Sequence, residues 1–180
     1  KNYEKNKGKV KRFEKIHRPG PCIFVGTSPA INKNMHLLKD LPDYFTIVAC
    51  NGIYKSLLKE DIVPDYVFVL EGRDHIVKDL DAGSNGTTLI TSPFVTPAIL
   101  DNWKGEKYFY VPGGGKKYQK AAEEDFGVLD IGGGNVVSTS ILWAMMYLNC
   151  RNVIITGMSL CYYEDYYHDK RSTANLGTDL

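Results

Sequence analysis

The sequence contains no hydrophobic run long enough to cross a bilayer, which takes about 20 residues, and its first residues are charged and unlike a secretion signal. We therefore expect a cytoplasmic chain with no transmembrane segment. The four cysteines show no CxxC pair of the kind that holds zinc, so they predict no metal site. Repeats and low-complexity stretches are also missing, and 180 residues are typical of one domain.

Net charge is small as well, at +1, but it is unevenly distributed. Residues 1–18 carry eight Lys or Arg against two Glu, whereas the remainder is acidic. A basic arm can attract nucleic acid or an acidic membrane, but this segment shows no known binding motif, which favours a solvated helix or tail. We expect a basic N-terminal arm or helix over 1–20, the folded domain over 21–180, and no nucleic-acid partner.

Short apolar runs alternate with helical patterns after the first 21 residues. Strands are predicted over 22–26, 45–50, 65–70, 87–92, 107–111 and 152–157. Helices are predicted over 29–41, 52–60, 96–103 and 136–148, with an irregular stretch over 112–134. Almost wholly apolar strands separated by helices are typical of a parallel sheet covered on both faces. The pattern predicts an α/β fold, a Rossmann-like three-layer sandwich with a mainly parallel sheet.

In such sheets ligands bind beyond the carboxyl ends of the strands. The stretch "VGTSPA" places Gly26, Thr27 and Ser28 between the first predicted strand and a helix that starts at Pro29. Backbone N–H groups and hydroxyls at a positive helix end suit a phosphate. The stretch is neither GxGxxG nor a Walker loop. On the motif alone, the slightly favoured interpretation is that Ser28 simply caps the helix.

Three consecutive glycines, Gly132, Gly133 and Gly134, precede the longest predicted helix. They follow a long irregular connection, and such connections are often functional. We interpret the glycines as allowing the backbone to approach a phosphate or sugar, with Asn135 and Ser138 as polar contacts. The alternative is a tight turn without a ligand.

Two carboxylates follow the third predicted strand. Glu71 ends the strand and Asp74 lies three residues further on. Carboxylates in this position suit Mg²⁺ or a sugar hydroxyl. Glu71 is equally suited to capping the next helix or pairing with Arg73, and the sequence leaves these alternatives open.

Of the four histidines, only His168 follows the last predicted strand, in a loop rich in tyrosine and acidic residues. A histidine near its ordinary pKa is the natural general base for a hydroxyl acceptor, so His168 is the catalytic candidate. The alternative is a surface histidine in a polar loop. His17, His36 and His75 are interpreted as surface or helix residues.

Three stretches, "CIFVGTSPAINKNMHLLKDL", "VACNGIYKSLLKEDIVPDYVFVLEG" and "GGGNVVSTSILWAMMYLNCRNVIITGMSLCYY", resemble in that order the MptE-like domain of motility-accessory-factor (Maf) flagellin glycosyltransferases. That family includes archaeal 6-hydroxymethylpterin diphosphokinases, and it is similar to bacterial sialyltransferases that use CMP-sialic acid. The resemblance covers about residues 21–168 and implies a Rossmann-like, nucleotide-binding fold.

The resemblance also implies a site. The loop after the first strand and an Asn after the second, here Asn51, are the positions that hold CMP in the sialyltransferases. The start of the long helix also contacts the nucleotide there, and a C-terminal His acts as the base, for which His168 is a loose match. The predicted nucleotide or donor ligands are Gly26, Thr27, Ser28, Asn51, Gly52, Glu71, Gly132, Gly133, Gly134, Asn135, Ser138, Gly157 and Ser159.

Three departures from the family pattern bear on the reaction. The usual Gly-Pro-Ser-Leu after the first strand is replaced by residues 27–30, and the Asp common after the last strand is replaced by Ser159. The Asp-x-Asp metal motif of the diphosphokinases is missing, with only Glu71 nearby. We expect a nucleotide-dependent transferase, a glycosyltransferase with a CMP-type sugar donor, a hydroxyl acceptor and no required cofactor. The alternatives are a Mg-ATP-dependent pterin-type diphosphokinase and a non-catalytic nucleotide-binding domain. The donor sugar, the acceptor and the oligomeric state are left open.

Overall fold

The computed structural model describes residues 2–9, 11–18, 20–70, 72–112, 130–131 and 135–160. Within these residues, seven strands form one sheet in the order β1-β6-β5-β4-β3-β2-β9, and β7 and β8 pair separately. The strands are β1 (Lys11–Arg12), β2 (Cys22–Val25), β3 (Thr46–Cys50), β4 (Tyr66–Val69), β5 (Thr88–Thr91), β6 (Lys107–Phe109), β7 (Val111–Pro112), β8 (Asp130–Ile131) and β9 (Val153–Thr156). All of these pairings are parallel.

The helices lie between the strands along the chain. They are the α-helices α1 (Asn2–Asn6), α2 (Asn51–Lys59), α3 (Pro97–Asn102) and α4 (Val136–Tyr147), and the 3-10 helices η1 (Pro29–Lys33), η2 (Met35–Leu38) and η3 (Asp74–Asp79). None of the helices in the described part of the chain has the length and apolar character that a membrane span requires. The alternation of parallel strands and helices confirms the predicted Rossmann-like sandwich.

The three layers follow from the alternation of side chains along each central strand. In β2, Cys22 and Phe24 belong to the same core cluster as Trp143 of α4, whereas Ile23 and Val25 belong to a cluster with Ile53 of α2. All four β2 side chains are buried. Successive residues of a strand point to opposite faces, so a continuous apolar run is the pattern that a strand covered on both sides requires.

Two helical segments differ from the sequence prediction. Residues 29–41 were predicted as one helix but form the two short 3-10 helices η1 and η2. The segment contains two asparagines, which are poor helix formers, and it is held instead by the burial of Ile31, Met35 and Leu38. The second difference is η3, which was not predicted.

The N-terminal segment contributes to both the sheet and the core. Residues 2–6 form α1, and its last residue, Asn6, is fully buried and donates through Nδ2 to the carbonyl oxygen of Val95 at 2.8 Å. Phe13 is only 6% exposed, and its ring lies 4.9 Å from that of Trp143 and 5.0 Å from that of Tyr108. The described part of the segment is therefore not solvated along its whole length. The domain boundary at residue 21 stays a prediction.

The strand order reverses at β2. From β2 the chain adds β3, β4, β5 and β6 in one direction, and then returns through α4 to place β9 on the opposite side of β2. Cys22 pairs with Val153, and Val25 with Thr156. Ligands of open parallel sheets bind at such a reversal, beyond the carboxyl ends of the strands. The fold therefore directs the search for a site to the loops that follow β2 and β9.

The burial of Phe13 can be tested by Phe13→Ala. Removing a ring that packs against Tyr66, Tyr108, Trp143 and Tyr147 leaves a void, and we expect the free energy of unfolding to fall by about 3–5 kcal/mol, measured by urea denaturation. Tyr44→Ala, at a side chain that is 60% exposed, is the control and should cost much less. Equal, small losses for the two variants would show that the N-terminal segment does not belong to the core.

Candidate functional site

A cavity of about 360 Å³ lies at the carboxyl ends of β2, β3 and β9, where the strand order reverses. Its described walls come from the loops that follow β2 and β9, from the junction of β3 with α2, from η3 and from the start of α4. The lining residues are Gly26, Thr27, Ser28, Cys50, Asn51, Gly52, His75, Ile76, Asp79, Asn135, Val136, Val137, Gly157, Met158, Ser159 and Leu160. The volume is within the range of small-molecule pockets.

Two glycines let the loops after β2 and β9 touch. A methyl group on Gly26 would lie 2.4 Å from the carbonyl oxygen of Gly157, and one on Gly157 would lie 2.4 Å from that of Gly26. Gly157 also has a φ of +67°, in the region that favours glycine. The two positions therefore require glycine for the backbone contact itself, and both line the cavity.

A hydroxyl pair joins the same two loops. The Ser28 N–H donates to the carbonyl oxygen of Gly157 at 2.8 Å, and the hydroxyl oxygens of Ser28 and Ser159 lie 2.5 Å apart. The Ser28 hydroxyl also accepts a longer bond, 3.4 Å, from the N–H of Ala30. The helix cap that the sequence suggested for Ser28 is therefore present. Since Ser28 and Ser159 also line the cavity with Thr27, the cap does not remove them from the site.

The start of α4 forms another wall and carries a capping box. The Ser138 N–H donates to Asn135 Oδ1 at 2.9 Å, and the Asn135 N–H donates to Ser138 Oγ at 3.3 Å. Each of the two side chains thus accepts a hydrogen bond from the other residue's backbone N–H, and their predicted ligand contacts stay predictions. The N–H groups of Val136 and Val137 have no intrahelical acceptor, because they belong to the first turn. They present the positive end of the helix dipole beside the cavity.

The opposite wall contains a carboxylate that is bonded on one side only. Asn51, the first residue of α2, donates from Nδ2 to Asp79 Oδ2 at 2.6 Å. Asp79 is only 3% exposed, and its Oδ1 has no hydrogen-bond partner among the described residues. A buried carboxylate oxygen without a donor is costly in free energy. Asp79 therefore lines the cavity with a carboxylate whose burial is only partly compensated by hydrogen bonding.

Burial raises the pKa of the Asp79 carboxyl above its ordinary value, and the negative charge of Asp81 adds to the rise. The hydrogen bond from Asn51 lowers the pKa in turn, as do the charges of His75 and Lys55, but burial has the larger effect. Apart from Asp79 and His75, the described lining has no acidic or basic residue. An anion in this cavity would therefore rely on backbone N–H groups, hydroxyls and helix ends.

The structure brings together eight of the predicted site residues as lining of one cavity. They are Gly26, Thr27, Ser28, Asn51, Gly52, Asn135, Gly157 and Ser159. Ser138 does not line the cavity but completes the cap of α4. Glu71, Gly132, Gly133, Gly134 and His168 lie outside the described residues, so their roles stay predictions. Within the described ranges, no cluster of three or more His, Cys, Asp or Glu is arranged to hold a metal ion.

Sequence reasoning missed Asp79 and the position of His75. His75 is an exposed residue of the 3-10 helix η3, as the surface-or-helix interpretation expected, but it also lines the cavity. A signal for Asp79 was available: it falls three residues after Ile76 and directly before Leu80, on the face that these apolar residues define. Both apolar residues are buried, and a carboxylate on a buried face indicates a site.

The backbone contact at the reversal can be tested by Gly157→Ala. The added methyl group meets the Gly26 carbonyl and the residue keeps a positive φ, so we expect a loss of about 3 kcal/mol in the free energy of unfolding. Gly83→Ala is the matched control, because Gly83 has a φ of +82° but open space around it. The Gly83→Ala variant should lose about 1–2 kcal/mol in the free energy of unfolding, because only the backbone conformation is unfavourable there. If the two variants lost equal free energy of unfolding, the contact between the loops after β2 and β9 would not contribute to stability.

The buried carboxylate should make stability depend on pH. Because its folded-state pKa is raised, the folded protein holds that proton more tightly than the unfolded chain, and the stabilisation present at about pH 4 is lost as pH rises through the folded pKa. The melting temperature of Asp79→Asn should therefore rise relative to wild type between pH 4 and pH 8. Asp81→Asn, at a side chain that is 56% exposed and paired with Lys55, should not show that rise. If the melting temperatures of Asp79→Asn and wild type differed by the same amount from pH 4 to pH 8, the argument from burial would be contradicted.

Comparison with known proteins assigns the chain to a family. The model of the family described as 6-hydroxymethylpterin diphosphokinase MptE-like matches residues 1–165. A solved structure, that of a Maf glycosyltransferase from Magnetospirillum magneticum AMB-1, is similar in fold with a TM-score of 0.68 and 21% sequence identity. That match covers 91% of this chain but only 28% of the neighbour, so the chain spans little more than a quarter of it. No curated protein matches the sequence. With nearly its whole length matched by the family model, the chain belongs to the MptE-like family.

Proposed function

We propose that this chain is a nucleotide-dependent transferase whose donor is a CMP-type sugar nucleotide carrying a sialic-acid-like or nonulosonic-acid-like sugar. The observation that carries the proposal is the cavity at the reversal of the strand order, which is lined by the loops that follow β2 and β9 and by the junction of β3 with α2. This is the place where open α/β sheets bind nucleotides. The Maf glycosyltransferase of similar fold is consistent with this class of reaction.

The donor phosphate would lie between the loop after β2 and the start of α4. Backbone N–H groups at a helix start bind phosphates without a cation, and the first turn of α4 at Val136 and Val137 borders the cavity, as do the hydroxyls of Thr27 and Ser28. The same donors would stabilise the negative charge that develops on the departing phosphate. This arrangement is the reason to propose a transfer that requires no cofactor.

A general base would deprotonate the hydroxyl acceptor. His168 is the candidate by family resemblance, and His75 is a second candidate because it lines the cavity. Replacing a general base by Ala lowers the rate by about 10²- to 10⁴-fold. His36, an exposed residue of η2, lies outside the cavity and provides a control at which the same substitution should have little effect.

The experiment is a thermal-shift titration with CMP, CDP, UDP, GDP and ATP, each with and without Mg²⁺. A ligand at one hundred times its dissociation constant adds about 2.7 kcal/mol of stability, so a shift with CMP that does not need the metal is the expected result. Release of CMP from a CMP-sugar should then be lost in His168→Ala or in His75→Ala but not in His36→Ala. No shift with CMP, and wild-type release in both His variants, would contradict the proposal.

A second function has a specific observation in its favour. The matching family is named for 6-hydroxymethylpterin diphosphokinase activity, which supports a Mg-ATP-dependent pyrophosphoryl transfer as the alternative. In the same titration it predicts a shift with ATP that requires Mg²⁺, followed by formation of AMP. A shift without turnover of either donor would favour a nucleotide-binding domain that is not an enzyme.

A further inference from the structure

The cavity has two chemically different ends. At the reversal of the strand order, the loops after β2 and β9 meet the positive start of α4, and the described side chains there are uncharged. At the other end, beyond β3, the start of α2 meets the buried carboxylate of Asp79. Neighbouring strands lie about 4.8 Å apart. β9 and β3 are two positions apart in the sheet, so their carboxyl ends are separated by about 10 Å.

Asp79 differs from the other buried polar groups of the protein. Five buried side-chain polar atoms lack a partner in the described part of the chain, on Asn6, Thr46, Asp79, Thr91 and Trp143. Of these, only Asp79 lines the cavity. It is also the only one whose side chain can carry a charge, which makes its missing partner the most costly. A buried, half-bonded carboxylate in a cavity wall is a group that a ligand would complete.

The Asp79 end does not suit a phosphate. Its carboxylate already interacts with the first turn of α2 through the amide of Asn51, and a second anion would be repelled by the first. A carboxylate accepts hydrogen bonds and donates none. The ligand group that fits here is therefore not an anion and carries an O–H or N–H donor.

We infer that Asp79 determines specificity by binding the hydrogen-bond-donating nucleoside part of the ligand, a ribose hydroxyl or a base N–H, while the phosphate lies at the start of α4. This inference rests on the proposed nucleotide-binding function and adds an orientation to it. Asn51 positions the carboxylate by holding Oδ2, and Oδ1 is the carboxylate oxygen that lacks a donor among the described residues. The ligand supplies the hydrogen bond that the protein lacks.

The test is Asp79→Asn. An Asn side chain of nearly the same shape can keep its oxygen toward Asn51 Nδ2, and its NH₂ group then takes the place of Oδ1. The substitution thus turns an acceptor into a donor at the cavity wall while the fold keeps its packing. Asp79→Leu is the second variant, since it removes both acceptors with little change in volume. Asp81→Asn is the control, because it removes a neighbouring negative charge from an exposed side chain.

Binding is measured by calorimetry with CMP, UMP, AMP and GMP, with the 2′-deoxy form of each, and with inorganic pyrophosphate. For a nucleotide that wild type binds, Asp79→Asn and Asp79→Leu should weaken affinity by about 10- to 100-fold, and Asp81→Asn by less than about 3-fold. Affinity for pyrophosphate should be unchanged in all variants. A 2′-deoxy nucleotide that is insensitive to Asp79→Asn identifies the 2′-hydroxyl as the donor; equal sensitivity identifies the base or the 3′-hydroxyl.

The outcomes separate the two proposals. If wild type binds a nucleotide and Asp79→Asn binds it equally well, the role of Asp79 is wrong and the proposed function stands. If wild type binds none of the nucleotides, the proposed function fails and the inference fails with it. If both Asp79 variants unfold at a much lower temperature than wild type without ligand, the carboxylate is structural, which also overturns the inference.

Discussion

The contact between the backbones of Gly26 and Gly157 is the constraint on which the candidate site depends. It brings together the backbones that follow the carboxyl ends of β2 and β9, and it leaves no room for a Cβ on either residue. The hydroxyl pair of Ser28 and Ser159 lies directly after this contact. Because both loops are held at their first residue, the groups that follow are fixed relative to one another. The cavity is thus defined by rigid backbone, the part of a fold that best preorganises a site.

The buried carboxylate in the wall of the cavity lowers the stability of the ligand-free protein. Asp79 is buried with one oxygen unbonded among the described residues, a state that costs free energy in the ligand-free protein. Residues of this kind concentrate at functional sites, where stability is traded for binding. The rest of the described lining carries almost no charge, so the two ends differ mainly through one carboxylate and one helix dipole. A small number of groups therefore determines which way a polar ligand lies.

Much of the fold could be predicted from the sequence because its information is local. The apolar runs at β2, β3, β4 and β5 correspond to buried strands, and the helix predicted over 136–148 corresponds to α4. The order of strands could not be predicted in the same way, since the pairing of Cys22 with Val153 joins segments that are distant in sequence. Residues 29–41 were assigned to one helix because periodicity does not separate an α-helix from two 3-10 turns that bury similar positions.

The candidate site was predicted less completely than the fold. Gly26, Ser28, Asn51, Gly157 and Ser159 were found because each directly follows a strand, and the rule for parallel sheets places such residues together. Asp79 was missed because η3 begins several residues after β4, and its burial depends on contacts that composition does not show. A rule based on strand ends finds the loops nearest the sheet. It does not find a side chain that reaches the cavity from a later turn.

The reversal of the strand order also has a consequence for biosynthesis. β2 to β6 follow one another along the chain and become available for pairing in that order as they leave the ribosome, whereas β9 must find β2 across more than a hundred intervening residues. Contacts of such long sequence separation form late, because a large loop has to close first. The cavity is therefore among the last parts of the domain to be assembled. A nascent chain that has formed β2 to β6 therefore still lacks the walls of the cavity that α4 and the loop after β9 supply.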